Sequence, residues 1–153
     1  MRVRDVMPDE LVYVRPDDSV RAAAERLAEY KHRALPVVTA DGKLAGIISE
    51  LDLLALLLPD YLADMEDLSF LPPDFTPGRH SFEEVACLPV SKAMRAEVMQ
   101  TTTEDEPILD VIRQMIQHRL AHVPVLRDGR VIGLLSSGLL VRRLIQEAKE
   151  NCD

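Results

Sequence analysis

The chain predicts an α+β fold made of two copies of a strand–helix–strand–strand–helix unit, and three observations carry that prediction. Arg33-Ala34-Leu35-Pro36-Val37-Val38 returns as Ala121-His122-Val123-Pro124-Val125-Leu126. An Asp-Gly pair follows each time (Asp41-Gly42, Asp128-Gly129), and then Leu44-Ala45-Gly46-Ile47-Ile48-Ser49 returns as Val131-Ile132-Gly133-Leu134-Leu135-Ser136. Upstream, Val20, Ala23, Ala24 and Leu27 share one face of a 3.6-residue period, and Ile108, Val111, Ile112 and Met115 repeat it 88 positions later. The copies span residues 3–53 and 90–140.

Each element has a local reason. Leu11 to Val14 reads as a short strand that Pro16 ends. Asp17, Asp18 and Ser19 offer side-chain oxygens to the unpaired N–H groups of the first helix. Pro107 is expected in the first turn of its counterpart, where a missing N–H costs nothing. The apolar strand through Pro36 to Val38 reaches a tight turn at Asp41-Gly42, and a second strand runs from Leu44 to Ile48. Ser49 and Ser136 mark second helix starts. A sheet this small cannot bury its apolar face alone, so the two units are expected to pack together.

The domain boundaries follow: 1–58 for the first repeat, 59–89 for an insertion, and 90–153 for the second repeat with a C-terminal helix. The insertion holds five prolines and Gly78, which block long helices and central strands. It also holds all three phenylalanines, Phe70, Phe75 and Phe82, so an ordered excursion covering the domain or meeting a partner is expected. In the C-terminal helix Leu140, Leu144, Ile145 and Ala148 share a side.

Composition narrows the function. Hydrophobic residues make up 47% of the 153, enough for a buried core, and the net charge of −8 argues against a non-specific nucleic-acid or anionic-membrane partner. Cys87 and Cys152 suit neither a disulfide framework nor a metal knuckle and are expected as reduced thiols. Early charges (Arg2, Arg4, Asp5) and the shortness of the apolar run from Leu53 to Leu58 predict a cytoplasmic protein with no signal peptide and no membrane span. No nucleophile–base pair and no phosphate-cradling glycine loop is seen, so no enzyme is expected, and the ends leave no room for an appended basic DNA-binding module.

Ser49-Glu50-Leu51-Asp52 can do nucleotide chemistry. A carboxylate accepts both protons of a ribose cis-diol, and a serine at a helix N-terminus suits a phosphate. The same residues also make a capping box, worth about 1 kcal/mol without any ligand. Both readings stand at this point. The second copy reads Ser136-Ser137-Gly138-Leu139, and Leu139 cannot accept from a ribose; Leu139 and Leu140 are expected in the helix core.

With Val3-Arg4-Asp5-Val6-Met7 opening one copy and Val90-Ser91-Lys92-Ala93-Met94 the other, the ordered set resembles a tandem pair of CBS domains, a Bateman module, over about two thirds of the chain. The resemblance implies two βαββα units with pseudo-twofold symmetry, and modules that join in pairs as a homodimer. It implies AMP, ADP, ATP or S-adenosylmethionine as regulatory ligand, no other cofactor, and a possible regulated partner protein. Its Ser/Thr-x-x-Asp motif falls on Ser49 and Asp52. The adenine wall would involve Arg33, Ala34, Leu35 and Pro36 and the strand entries at Leu11–Tyr13 and Val98, Met99 and Gln100. Since such a site draws on both units, Ser49 and Asp52 pair with Val98, Met99 and His122, and Ser136 belongs to the second cleft. A ligand-free dimerisation or interaction scaffold is the alternative. Other readings are weaker: His118 and His122 as an i, i+4 metal pair, Arg33 and Arg119 on phosphate, and Asp60, Asp64, Glu66 and Asp67 on a divalent cation. Core packing, solvated arginines and a solvated acidic loop compete with these.

Overall fold

In the first repeat of the computed structural model, which describes residues 1–75 and 82–151, the helix start falls where the sequence offers a cap. After a short opening helix α1 (Val3–Val6) comes α2 (Val20–Tyr30), whose N-cap Ser19 accepts from the Ala22 N–H at 3.1 Å. Asp18 instead accepts from the Arg15 N–H at 2.8 Å. Strands β1 (Ala34–Val38) and β2 (Leu44–Ser49) form an antiparallel hairpin, and α3 (Glu50–Ala55) follows directly. The insertion contributes α4 (Asp60–Ala63) and α5 (Phe82–Val85), and a single 3₁₀ turn covers Val90–Lys92. The second repeat runs β3 (Thr102–Thr103), α6 (Ile108–His118), β4 (His122–Arg127), β5 (Arg130–Ser136) and α7 (Ser137–Asn151).

The two repeats match in detail. Val37 faces Gly46 and Val38 faces Leu44, so Ala45 is bulged out; Val125 faces Gly133, Leu126 faces Val131, and Ile132 bulges in the same place. The hairpin tips differ. Asp128 (φ 52) and Gly129 (φ 78) form a two-residue turn with both residues left-handed. The first hairpin carries one residue more, closed by Gly42 N–H to Thr39 O and Thr39 N–H to Lys43 O, both at 2.9 Å, with only Gly42 left-handed. That extra residue shortens the repeat offset from 88 before the turn to 87 after it.

Three sequence expectations shift. The strand at Leu11–Val14 shrinks to one parallel bridge, Val14 to Val37, because only Val14 engages β1 on both sides: its N–H donates to Pro36 O and its carbonyl accepts from Val38 N–H. The carbonyl of Tyr13 is taken by the Arg26 guanidinium instead. Val98, Met99 and Gln100 carry no strand; the parallel pairing begins later, with Thr102 opposite Val125. Pro107 is the N-cap rather than a first-turn residue, a displacement of one position.

Two cores result, and each contains a piece of the other repeat. Val14, Ala23, Leu27, Leu35, Val37 and Ile48 pack with Val90, and Ala93 and Met94 lie against them. Ile108, Val111, Met115, Val123, Val125, Leu135 and Leu140 pack with Val3 and Val6, joined by Met7. Main-chain bonds fix both exchanges. Val3 N–H donates to Glu106 O and Ile108 N–H to Met1 O, while Val90 N–H donates to Asp18 O and Val20 N–H to Leu88 O. The opening motif of each copy therefore completes the core of its neighbour.

The insertion is anchored through buried Leu62, Val85 and Ala86, whereas Phe70, Phe75 and Phe82 are all exposed. Pro77 and Gly78 lie outside the described residues, as does Cys152; Cys87 is exposed. On α7 only Leu140 of the expected apolar side is buried, and Leu144, Ile145 and Ala148 face outward. Among the described residues no helix is long and apolar enough to cross a membrane.

Candidate functional site

The hairpins place the starts of α3 and α7 beside the entries to β1 and β4. Glu50 N–H donates to Arg33 O at 3.0 Å and Ser137 N–H to Ala121 O at 2.9 Å, a matched pair. The positive dipole end of α7 thus lies at a cavity lined by both repeats, and that of α3 meets Arg95 of the second repeat.

One cleft is open. A cavity of about 290 Å³ lies on the Leu139 side, where Arg33, Ala34 and Leu35 of the first repeat face His122, Leu134, Ser136 and Leu139 of the second. The segment Pro8 to Val12 forms another wall, Lys31 and His32 come from the end of α2, and Arg142 from the first turns of α7. Ser136 Oγ accepts from Leu139 N–H at 3.1 Å and caps the helix with no carboxylate present. Leu139 is therefore cavity wall, and Leu140 alone takes the expected core position.

Lys31 reaches this cavity from a left-handed C-cap (φ 54), with its N–H and that of His32 donating to Leu27 O. A non-glycine residue in this region costs about 1 kcal/mol or more. Arg119 (φ 52) holds the equivalent place after α6 but does not line the cavity. His122 lines the same cavity. Burial first, then the charges of Arg95, Arg33 and His32, hold its pKa below the ordinary 6.5, so the ring is neutral at pH 7.

The Asp52 cleft is arranged differently. Asp52 Oδ2 accepts from both the N–H and the hydroxyl of Ser49 at 2.8 Å, and Ser49 Oγ accepts from Asp52 N–H at 3.3 Å, a complete capping box. The same oxygen lies 3.6 Å from Arg95 Nε. Arg95 is fixed there by its own backbone: its N–H donates to Ile47 O at 2.9 Å and its carbonyl accepts from Ile47 N–H at 3.0 Å. The residue at that position of the other copy is Pro8, which has no N–H to pair with Leu134. A proline facing an arginine across the pseudo-twofold distinguishes the open cleft from the one Arg95 enters.

Of the residues singled out from sequence, Arg33, Ala34, Leu35, His122 and Ser136 come together at the cavity. Pro36 is buried in β1 behind it. Ser49 and Asp52 belong to the other cleft, and Val98, Met99 and Gln100 lie off the cavity wall, Met99 with 71% of its surface exposed. Lys31, Pro8, Glu10 and Arg142 escaped sequence reasoning. Aligning the opening motifs, Met7 with Met94, would have found Pro8, since Arg95 holds its place in the second copy. His118 ends α6 while His122 opens β4, so no helix face carries both. Among the described residues no group of three or more His, Cys, Asp or Glu is placed to hold a metal ion, and in the acidic run Asp67 accepts from Ser69 N–H.

The profile of the CBS domain matches this chain twice, over residues 3–59 and 90–146. The chain belongs to the CBS domain family. Protein MJ1004 of Methanocaldococcus jannaschii is 26% identical over 146 residues, covering 94% of this chain and 56% of that protein. The chloroplastic CBS domain-containing protein CBSX2 of Arabidopsis thaliana is 30% identical over 145 residues, covering 90% of this chain and 60% of the relative. The chain thus spans less than two thirds of either relative. A crystal structure of CBSX2 in complex with AMP superposes with a TM-score of 0.70 at 27% identity, covering 96% of this chain and 98% of that one. The CBS pair of MJ0100, solved with 5′-methylthioadenosine and S-adenosylmethionine, shares the fold with a TM-score of 0.70 at 24% identity over 96% of this chain and 98% of that one.

Proposed function

We propose that this CBS pair is a regulatory module that binds an adenosine-containing ligand in the cleft between its repeats. The observation that carries the reading is the cavity itself, which joins Arg33, Ala34 and Leu35 of one repeat to His122 and Ser136 of the other at the N-terminus of α7. Main-chain and apolar walls suit an adenine, and the helix start with its nearby cations suits a phosphate. The AMP complex of CBSX2 supports the ligand class. Ser49 and Asp52 would form a second seat, with Val98, Met99 and Gln100 beside it, once Arg95 leaves Asp52.

A second copy is the partner we propose. Leu51, Leu54 and Leu58 at and after α3, and Val141, Leu144 and Ile145 on α7, are all exposed, and the two sets occupy corresponding helices of the repeats. A dimer would cover both faces at once, and a regulated protein would read the ligand state through that assembly. Mass in solution tests the dimer, and a monomer at micromolar concentration would refute it.

The scaffold alternative has an observation of its own: Asp52 is engaged by Ser49 and Arg95, and its counterpart is Leu139. Melting the protein with AMP, ADP, ATP or S-adenosylmethionine separates the two. A ligand at about 100 times its Kd contributes about 2.7 kcal/mol to stability and raises the transition. A transition that no member of the panel moves would favour the scaffold.

A further inference from the structure

We infer that the open cavity selects its ligand by phosphate charge and does not read the ribose hydroxyls. This rests on the nucleotide reading above and deepens it. Lys31, Arg33 and Arg142 all line the cavity, in a chain whose net charge is −8. Glu10 is the single carboxylate among the described lining residues, and it is exposed in the segment after Pro8. Three cations around one space concentrate an anion, and a guanidinium or ammonium bond to a phosphate oxygen is about twice as strong as a neutral one.

The wall at the start of α7 has no carboxylate for a diol. A cis-diol donates two protons, and a carboxylate takes both. At position 139 stands a leucine whose side chain accepts nothing, one lone pair of Ser136 Oγ is taken by Leu139 N–H, and Glu10 belongs to the separate Pro8–Val12 wall. Lys31 stands at the C-cap of α2 and is itself one of the residues lining the cavity.

The test is calorimetric titration of the intact protein with AMP, 2′-deoxy-AMP, adenosine and S-adenosylmethionine at one ionic strength. AMP and 2′-deoxy-AMP should bind within about threefold of each other, and adenosine and S-adenosylmethionine should each bind at least about tenfold more weakly than AMP. Lys31→Ala and Arg142→Ala should each weaken AMP at least about fivefold and leave adenosine unchanged. Leu139→Asp should make the protein prefer AMP over 2′-deoxy-AMP by about tenfold. One oxygen of the added carboxylate can cap the helix through Ser136, as Asp52 does through Ser49, and the other supplies the acceptor that the ribose hydroxyl needs. A tenfold preference for AMP over its deoxy form that persists in the Asp52→Ala protein, or adenosine as tight as AMP there, overturns this inference and leaves the nucleotide reading intact. No binding of any of the four compounds overturns both.

Discussion

Arg95 reaches from the start of the second repeat to place its Nε 3.6 Å from Oδ2 of Asp52, in the first. The carboxylate that looks most like a ribose ligand is therefore already engaged, by its own helix and by a cation from the neighbouring repeat. The Arg95 side chain is 62% exposed, so the pair adds little to stability, whereas the capping box satisfies main-chain N–H groups at the helix start.

Asp52→Ala should accordingly destabilise the protein by about 1 kcal/mol, lowering its melting temperature by roughly 2–4 °C. Arg95→Ala should leave the melt within about 0.5 kcal/mol of the unaltered protein, since its side chain contributes only an exposed, loose ion pair. Urea denaturation of both variants measures the difference. Equal losses in the two would show that the ion pair, and not the cap, is what Asp52 contributes.

The same backbone pairing makes Gly46 and Gly133 unequal. A Cβ on Gly46 would stand 2.5 Å from the Arg95 carbonyl oxygen and 3.0 Å from the Met94 sulfur, whereas one on Gly133 would meet only the terminal methyl of Met7, at 2.9 Å. A carbonyl held in a two-way bridge cannot move aside, but a methionine can turn. Gly46→Ala should cost about 2 kcal/mol and Gly133→Ala less than about 1 kcal/mol, as equilibrium unfolding would report. Similar costs at the two sites would mean that the Arg95–Ile47 bridge yields.

Much of this fold is legible in the chain because its signals are local. Val20 to Leu27 and Ile108 to Met115 carry their helical faces within one window, and Asp-Gly marks each hairpin. The exchange of opening segments is not local: Val6 and Leu135 meet only through tertiary structure, so motif order suggested a boundary that the packing crosses. The site divides the same way. Leu35 and Ser136 stand out because they belong to the repeated strand and helix-start motifs, and Arg33 and His122 lie within or beside those motifs. Lys31 does not, since nothing in its neighbourhood announces a left-handed C-cap, and Pro8 matters only through the N–H it lacks.

Lys31 and Arg119 offer a controlled comparison. Both sit at left-handed C-caps, and only Lys31 lines the cavity. Replacing either by glycine should stabilise the protein by about 1 kcal/mol, because glycine adopts this backbone without a Cβ clash. Lys31→Gly should also weaken AMP binding, whereas Arg119→Gly should not. Thermal melts with and without AMP read both effects, and parallel ligand shifts in the two variants would remove Lys31 from the site.

His122 gives the fold a pH dependence of known sign. Its folded pKa lies below 6.5, from burial first and then from the charges of Arg95, Arg33 and His32. As pH falls below the ordinary value, the unfolded chain gains a proton that the folded chain refuses, so stability declines until the folded pKa is passed. His122→Gln should remove this contribution, so its melting curve should fall less than that of the unaltered protein between about pH 8 and about pH 5.5. Curves that stay parallel across that range would show that the ring titrates normally.

Val6 tests the exchanged segments directly. It is buried with Val123, Leu135 and Leu140, although it stands at the head of the first repeat. Val6→Ala removes two methyl groups' worth of contact from that cluster and should cost about 2 kcal/mol. The loss should appear in amide exchange as faster opening of β4 and β5, with β1 and β2 less affected. Val90→Ala should do the reverse, because Val90 packs with Leu35, Val37 and Ile48. If each substitution instead loosened the hairpin nearest to it in sequence, the opening segments would belong energetically to their own repeats. If both hairpins opened together in both variants, the two clusters would be one cooperative unit, and a ligand held between the repeats would have no separate motion to couple to.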